Sequence, residues 1–194
     1  RQGRVRNEFR NEKNQMISSW LISKEEFAKA IAPLDKLNDD MFMRDTAAII
    51  QFAKTSGEPI KPGGMGAFGY CLGGRLMMKA AGLYPETFFA GASMHGTYLV
   101  QDKPDSAHLL IPKMRGEFYF GCGELDPHLP LDSVALIDKL MTEHKVKHEI
   151  VIHKQAHHGY AMPNRDIFDK AAYNRDWEAM FAMFHRQLPP GYVT

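Results

Sequence analysis

The sequence predicts an α/β protein: a three-layer α/β/α arrangement around a mostly parallel sheet. Two observations carry this. From Gly66 onward, short apolar runs alternate with stretches of helical periodicity, the pattern of βαβ units. The composition is also that of an ordinary globular chain, with 44% hydrophobic and 24% charged residues over 194 positions, enough for one domain with a sizeable core.

The elements follow in order. Arg1–Gln15 is dense in charge and poor in large apolar residues, so residues 1–22 read as a polar, solvated lead-in preceding a single domain, 23–194. Ile17–Ile22 is the one candidate strand ahead of the domain. Ser23-Lys24-Glu25-Glu26 has capping-box spacing and starts a helix that Pro33 ends. Asp39 or Asp40 caps a second helix, Met41–Lys54, with Met43, Ala47, Ile50 and Lys54 on one face and Gly57 past its end. Gly66–Tyr70 is a strand, and Leu72–Ala81 a helix stopped by Gly82. Phe88–Met94 and Glu117–Cys122 are strands. Asp132–His144 is a helix capped by Asp132, with Val134, Ile137, Leu140 and Met141 inward. Glu149–His153 is a strand. Asp166–Gln187 is a long helix whose Phe168, Ala172, Trp177, Phe181 and Phe184 must cover a sheet face.

Several function classes are excluded early. A net charge of +1, from 24 basic and 23 acidic residues, gives no nucleic-acid or membrane-surface footprint. No apolar run approaches the ~20 residues of a membrane-spanning helix. Two cysteines cannot build a disulfide framework, and the polar start is no signal peptide, so a cytoplasmic setting is expected. The chain begins at Arg1 rather than Met and reads as a fragment.

The chemistry concentrates at Gly69-Tyr70-Cys71-Leu72-Gly73-Gly74. A short strand runs into a nucleophile-type residue flanked by glycines two positions away, and a helix follows at once. That is the arrangement of a nucleophile elbow with Cys in place of Ser. Gly69 and Gly73 are expected to lack side chains because the backbone folds back on itself there. The Leu72 N–H faces a developing oxyanion, and the helix N-terminus favours a thiolate at Cys71. A competing G-x-G-x-x-G pattern, Gly64 to Gly69, is the dinucleotide fingerprint and raises an NAD(P)-binding oxidoreductase as a rival. It follows Pro59 and Pro62, which make a poor central strand.

A cysteine nucleophile needs a base, and the base an orienting acid. Asp126, in the loop after the strand Glu117–Cys122, is the candidate acid; Asp132 is its rival. His158, in the loop after the strand Glu149–His153, is the candidate base, with the adjacent His157 not separable by spacing.

Gly69–Arg75, Gly121–Asp126 and His158-Gly159-Tyr160 together resemble the dienelactone hydrolase family of α/β-hydrolases. Met43–Ala48, His95-Gly96 and Asp105–Leu110 are similar to it as well, and the likeness runs from about Asp40 to Leu188. The resemblance implies Cys71 as nucleophile, Asp126 as acid and His158 as base, with Leu72 and the elbow glycines Gly69, Gly73 and Gly74 shaping the oxyanion site. It further implies a small-molecule ester or lactone substrate, a thioester acyl-enzyme, and no metal or organic cofactor. Tyr70, His95, Tyr160 and Arg165 are the candidate pocket residues. Complete members carry further strands before the elbow, which this chain is expected to lack, and one of their loops supplies a second oxyanion donor. Loss of one such donor costs about 10²–10³ in rate, so a weakly active or inactive binding module is the alternative. The arginine that members place four residues after the catalytic histidine is Met162 here, with Arg165 displaced. The elbow strand is then expected near an open sheet edge, a template for self-association.

Remaining features have plain readings. Cys122 is a small buried thiol. His148, His153, His157 and His158 invite a zinc site but lack ligand spacing on one helix, so no metal is expected. His95 lies near the pocket mouth or is a hydrogen-bonded structural residue.

Overall fold

The computed structural model describes residues 10–18, 21–32, 37–57 and 64–188. Its described strands form one four-stranded parallel sheet in the order β1 (Met65–Tyr70), β2 (Phe88–Met94), β3 (Glu117–Gly123), β4 (Lys147–His153). Each crossover therefore steps the same way across the sheet. With the usual right-handed crossover, every connecting helix lands on one face. That face carries α2 (Asp39–Thr55), α3 (Leu72–Leu83), a short 3-10 helix (Ala107–Lys113) and α4 (Leu131–Glu143), around Met78, Leu99, Ile111, Phe118, Phe120 and Ile137. Alternate strand residues, Ala90, Ala92, Met94 and Tyr119, point the other way and are covered by α5 (Lys170–Gln187). Three layers result. β1 stands at one edge of the sheet among the described residues, as the sequence led us to expect.

The capping box at α1 (Lys24–Ile31) is present: Ser23 Oγ accepts from Glu26 N–H, and the Glu26 carboxylate accepts from Ser23 N–H. Pro33, Pro59 and Pro62 lie outside the described residues. Ile17–Ser18 is not a strand; Met16 instead makes isolated bridges to Arg10 and Arg165, and its N–H donates to Asn164 O at 2.8 Å. The part of the polar lead-in from Arg10 to Ser18 is thus docked on the domain.

Three helix starts differ from the sequence reading, two of them because an acid is occupied elsewhere. Asn38, not Asp39 or Asp40, caps α2; Asp39 instead bridges Arg75 at 2.9 Å and Lys79 at 2.8 Å, tying α2 to α3. Helix α5 begins at Lys170 under an Asp169 cap, because Asp166 accepts from Ser18 Oγ at 2.7 Å. Helix α4 begins at Leu131, after Pro130, with Asp132 exposed in its first turn.

Two helix faces also differ. On α2 only Met43 and Ile50 are buried, while Ala47 and Lys54 are exposed. On α5 the buried stripe is Ala172, Asp176, Met180 and Met183, and Phe181 is 50% exposed. Phe168 lies before the helix. The stripe passes through Asp176, a charged residue on the buried face of the helix. Its carboxylate accepts from Tyr119 Oη at 2.8 Å and Tyr160 Oη at 2.7 Å, and pairs with His153 Nε2 at 2.7 Å. Those three partners let α5 bury an acid against the sheet.

Candidate active site

Because all four strands run parallel in sequence order, their carboxyl ends lie side by side, and the loops leaving them meet. Cys71 leaves β1, Thr97 follows β2, Asp126 follows β3, and His158 follows β4.

Cys71 has φ 54° and ψ −121°, a strained conformation for a non-glycine residue. The turn closes so tightly that a Cβ on Gly69 would lie 2.2 Å from the Gly73 carbonyl. One on Gly74 would lie 2.2 Å from Ser93 Oγ, whereas Gly73 faces open space. The close approach therefore falls on Gly69 and Gly74 rather than on Gly69 and Gly73. The Cys71 thiol sits at the start of α3, where the free N–H groups of the first turn attract negative charge.

His158 Nε2 lies 3.1 Å from Cys71 Sγ, and its Nδ1 lies 2.8 Å from Asp126 Oδ2. Of the adjacent pair it is His158 whose ring makes both contacts, and Asp132 stands exposed in the first turn of α4. Asp126 is buried, and its second oxygen accepts from His128 N–H at 2.8 Å. Burial alone would raise the Cys71 pKa, but hydrogen bonds from His158, Thr97 and Leu72 N–H, with the His158 charge, hold it below the ordinary thiol value. Burial alone would likewise lower the His158 pKa; Asp126 and Cys71 outweigh it and raise it to about 9. The arrangement suits a thiolate–imidazolium pair at neutral pH.

A model of the dienelactone hydrolase family matches residues 19–188. The chain belongs to that family. It is 27% identical over 157 residues to a Synechocystis protein assigned as a carboxymethylenebutenolidase, covering 79% of this chain and 63% of the relative. Among solved structures it is similar to a protein from Klebsiella pneumoniae assigned as a dienelactone hydrolase. That match has a TM-score of 0.70 at 18% identity, over 84% of this chain and 67% of the other. It also resembles a dienelactone hydrolase-like promiscuous phosphotriesterase from metagenomic libraries, with a TM-score of 0.57 at 18% identity, over 76% of this chain and 65% of that one. The structural likenesses concern the fold. The chain spans about two thirds of the length of these relatives.

Within this family member the other candidate residues fall in distinct places. His95 is buried, 1% exposed, rather than at a pocket mouth, and its Nδ1 has no hydrogen-bond partner among the described residues. Its ring packs on Tyr70, His158 and Tyr160. Burial, then the charges of His158 and Arg165, hold its pKa down at about 3, so it stays neutral. Tyr160 is fully enclosed and donates to Asp176, so it supports the site from below instead of lining a pocket. Tyr70 is half-buried beside His95. The Arg165 side chain lies over Gly159, and among the described residues it makes no ion pair. His153 is committed to Asp176 and His148 to Asp138, and no group of metal-ligating side chains gathers among the described residues. Cys122 is buried, and that burial, with Asp126 and Asp176, pushes its pKa up to about 12. The dinucleotide-like glycines run along β1 instead of into a helix, so the phosphate-binding turn is not formed. No described helix is long and apolar enough to cross a membrane.

Sequence reasoning missed two residues. His128 stands edge-on to His158, ring centroids 4.7 Å apart, and its Nδ1 lies 3.2 Å from Tyr98 Oη. Thr97 Oγ1 lies 3.1 Å from Cys71 Sγ. The signal for His128 was its place two residues after Asp126, where an aspartate commonly accepts from the backbone. For Thr97 it was only that the β2 loop must border the elbow.

Proposed function

We propose that this chain carries the reaction centre of a thiol-dependent hydrolase that opens a small carboxylic ester or lactone. The observation that carries the reading is the continuous chain of contacts from Asp126 Oδ2 through His158 to Cys71 Sγ, at 2.8 and 3.1 Å, on a strained elbow. Family membership supports it, since a relative bears the name of a lactone hydrolase.

The Cys71 thiolate attacks the acyl carbon, and the carbonyl electron pair moves onto oxygen, where Leu72 N–H meets it. As the carbonyl reforms, the C–O bond breaks and His158 Nε2–H protonates the departing alkoxide, leaving a thioester on Cys71. In a lactone that alcohol stays tethered to the acyl group. Neutral His158 then takes a proton from water, and the hydroxide adds to the thioester. Collapse expels Cys71 as thiolate beside the restored imidazolium and releases the acid. Asp126 keeps the Nδ1 proton in place and stabilises the imidazolium throughout. Arg165, which makes no ion pair among the described residues, and the exposed Tyr98 are the groups we assign to the remainder of the substrate.

The test is release of p-nitrophenol from p-nitrophenyl acetate, with intact-mass analysis of wild type, Cys71→Ala and His158→Ala. We expect an acetyl adduct confined to Cys71 and loss of turnover in both variants. A wild type no faster than Cys71→Ala would refute the reading.

A further inference from the structure

Beside His158, the second side chain within bonding distance of Cys71 Sγ is Thr97. Its Oγ1 lies 3.1 Å from Cys71 Sγ and 3.5 Å from His158 Nε2, so the hydroxyl, the thiol and the imidazole form a triangle. The loop that presents it is fixed on three sides. His95 N–H donates to Gly121 O at 2.9 Å, Thr97 N–H to Cys71 O at 3.0 Å, and Tyr98 N–H to His128 O at 3.0 Å. His95 and Tyr98 adopt positive φ values of 39° and 50° on either side of Gly96-Thr97. Two non-glycine residues in that region imply that surrounding contacts over-determine the turn. Thr97 is thus held against the thiol by the same backbone that forms the elbow.

We propose that Thr97 is a catalytic residue whose hydroxyl donates to the Cys71 thiolate in the resting protein and lets go of it once the sulfur is acylated. The direction of the bond follows from proton counting. With Asp126 accepting from Nδ1–H, an imidazolium spends Nε2–H on the sulfur and offers no lone pair, so the thiolate is the acceptor left for the Thr97 proton. A thioester sulfur accepts poorly, and the neutral His158 formed with it regains a lone pair. The hydroxyl can then turn from Sγ toward Nε2 or toward the incoming water.

This inference rests on the reading of Cys71 as a nucleophile, but it has a readout that needs no turnover. A donor to the thiolate stabilises it and also makes it less nucleophilic, because nucleophilicity falls with pKa at a Brønsted slope of about 0.4–0.5. The titratable groups facing the thiol are His158 directly, with Asp126, His95 and His128 behind it. All stay in place when only the hydroxyl is removed.

The experiment is the rate of iodoacetamide alkylation of Cys71, located by peptide mass, from pH 5 to 10 in wild type, Thr97→Val, Thr97→Ala and Thr97→Ser. The expected result is alkylation about tenfold slower at low pH in the Val and Ala variants, and equal or faster at high pH, so that their profiles cross that of wild type. Thr97→Ser should follow wild type. Ala is included because it demands no extra volume should Val disturb the turn. Profiles of Val and Ala that superimpose on wild type, or that fall in parallel at every pH, would overturn the proposal. If the profiles cross while wild type releases no p-nitrophenol, Thr97 stands and the hydrolase reading falls.

Discussion

The Nδ1 of His158 lies 2.8 Å from Oδ2 of Asp126, and this bond decides which ring nitrogen can serve Cys71. With its proton pinned at Nδ1, the neutral ring presents an acceptor at Nε2, 3.1 Å from Sγ. Asp126→Asn keeps the shape but offers an N–H to Nδ1, so the proton moves to Nε2 and the ring can no longer accept. We expect esterase turnover to drop about 10⁴-fold, measured by p-nitrophenol release. A drop below tenfold would mean that Asp126 does not set the tautomer.

The two thiols should separate by reactivity. Cys71 is held below the ordinary thiol pKa mainly by His158, against its own burial, whereas burial pushes Cys122 up to about 12. Limiting iodoacetamide at pH 7 should label Cys71 alone, because only the thiolate reacts. The same pair gives a sign for stability. His158 is raised from 6.5 to about 9, so its contribution is complete below pH 6.5 and is lost as pH rises through about 9. Cys71 is lowered, so its contribution is present at high pH and is lost as pH falls through its folded value. In a Cys71→Ala background, where the opposing thiol term is absent and Asp126 still raises His158, the Tm advantage of His158 over His158→Ala should shrink between pH 7 and 10. An advantage that grows over that range would contradict the raised histidine.

The alternation of strands and helices and the parallel sheet were legible in the sequence, because each rests on local spacing; spacing left His157 and His158 inseparable, and the family resemblance chose between them. What escaped it was decided by pairing across the chain. Asp39, Asp166 and Asp176 look like cap or surface residues, yet each is drawn to a distant partner: Arg75 and Lys79, Ser18, and the Tyr119–Tyr160–His153 group. The His128 ring reaches His158, and Thr97 reaches Cys71, only through tertiary contacts. No periodicity encodes them.

The elbow glycines should differ in their tolerance. A Cβ on Gly69 would meet backbone atoms of Gly73 at 2.2 Å, and backbone cannot rotate away as a side chain can. Gly73 has nothing within 4 Å and lies in the first turn of α3, where Ala is the better helix former by up to about 1 kcal/mol. Gly69→Ala should lower Tm strongly or prevent folding, and Gly73→Ala should leave Tm unchanged or raise it. Equal effects in thermal melts would show that the turn is looser than its contacts imply.

The Asp176 carboxylate is wholly buried and accepts from two tyrosine hydroxyls while pairing with His153. Asp176→Leu removes the common acceptor and leaves three buried donors without it, the situation in which losing one partner costs about 3–5 kcal/mol. Asp176→Asn retains a carbonyl acceptor and should cost less. The damage should also reach the chemistry. Tyr160 packs on His95 with ring centroids 5.5 Å apart, and His95 packs on His158 at 5.1 Å, so a displaced Tyr160 frees the ring that faces Cys71. Urea unfolding and p-nitrophenol release, measured on both variants, test the two parts together. A loss under 1 kcal/mol for Asp176→Leu would show that the buried acid is not what fixes α5 beneath the site. A large loss with unchanged turnover would show that His95 keeps His158 in position without support from below.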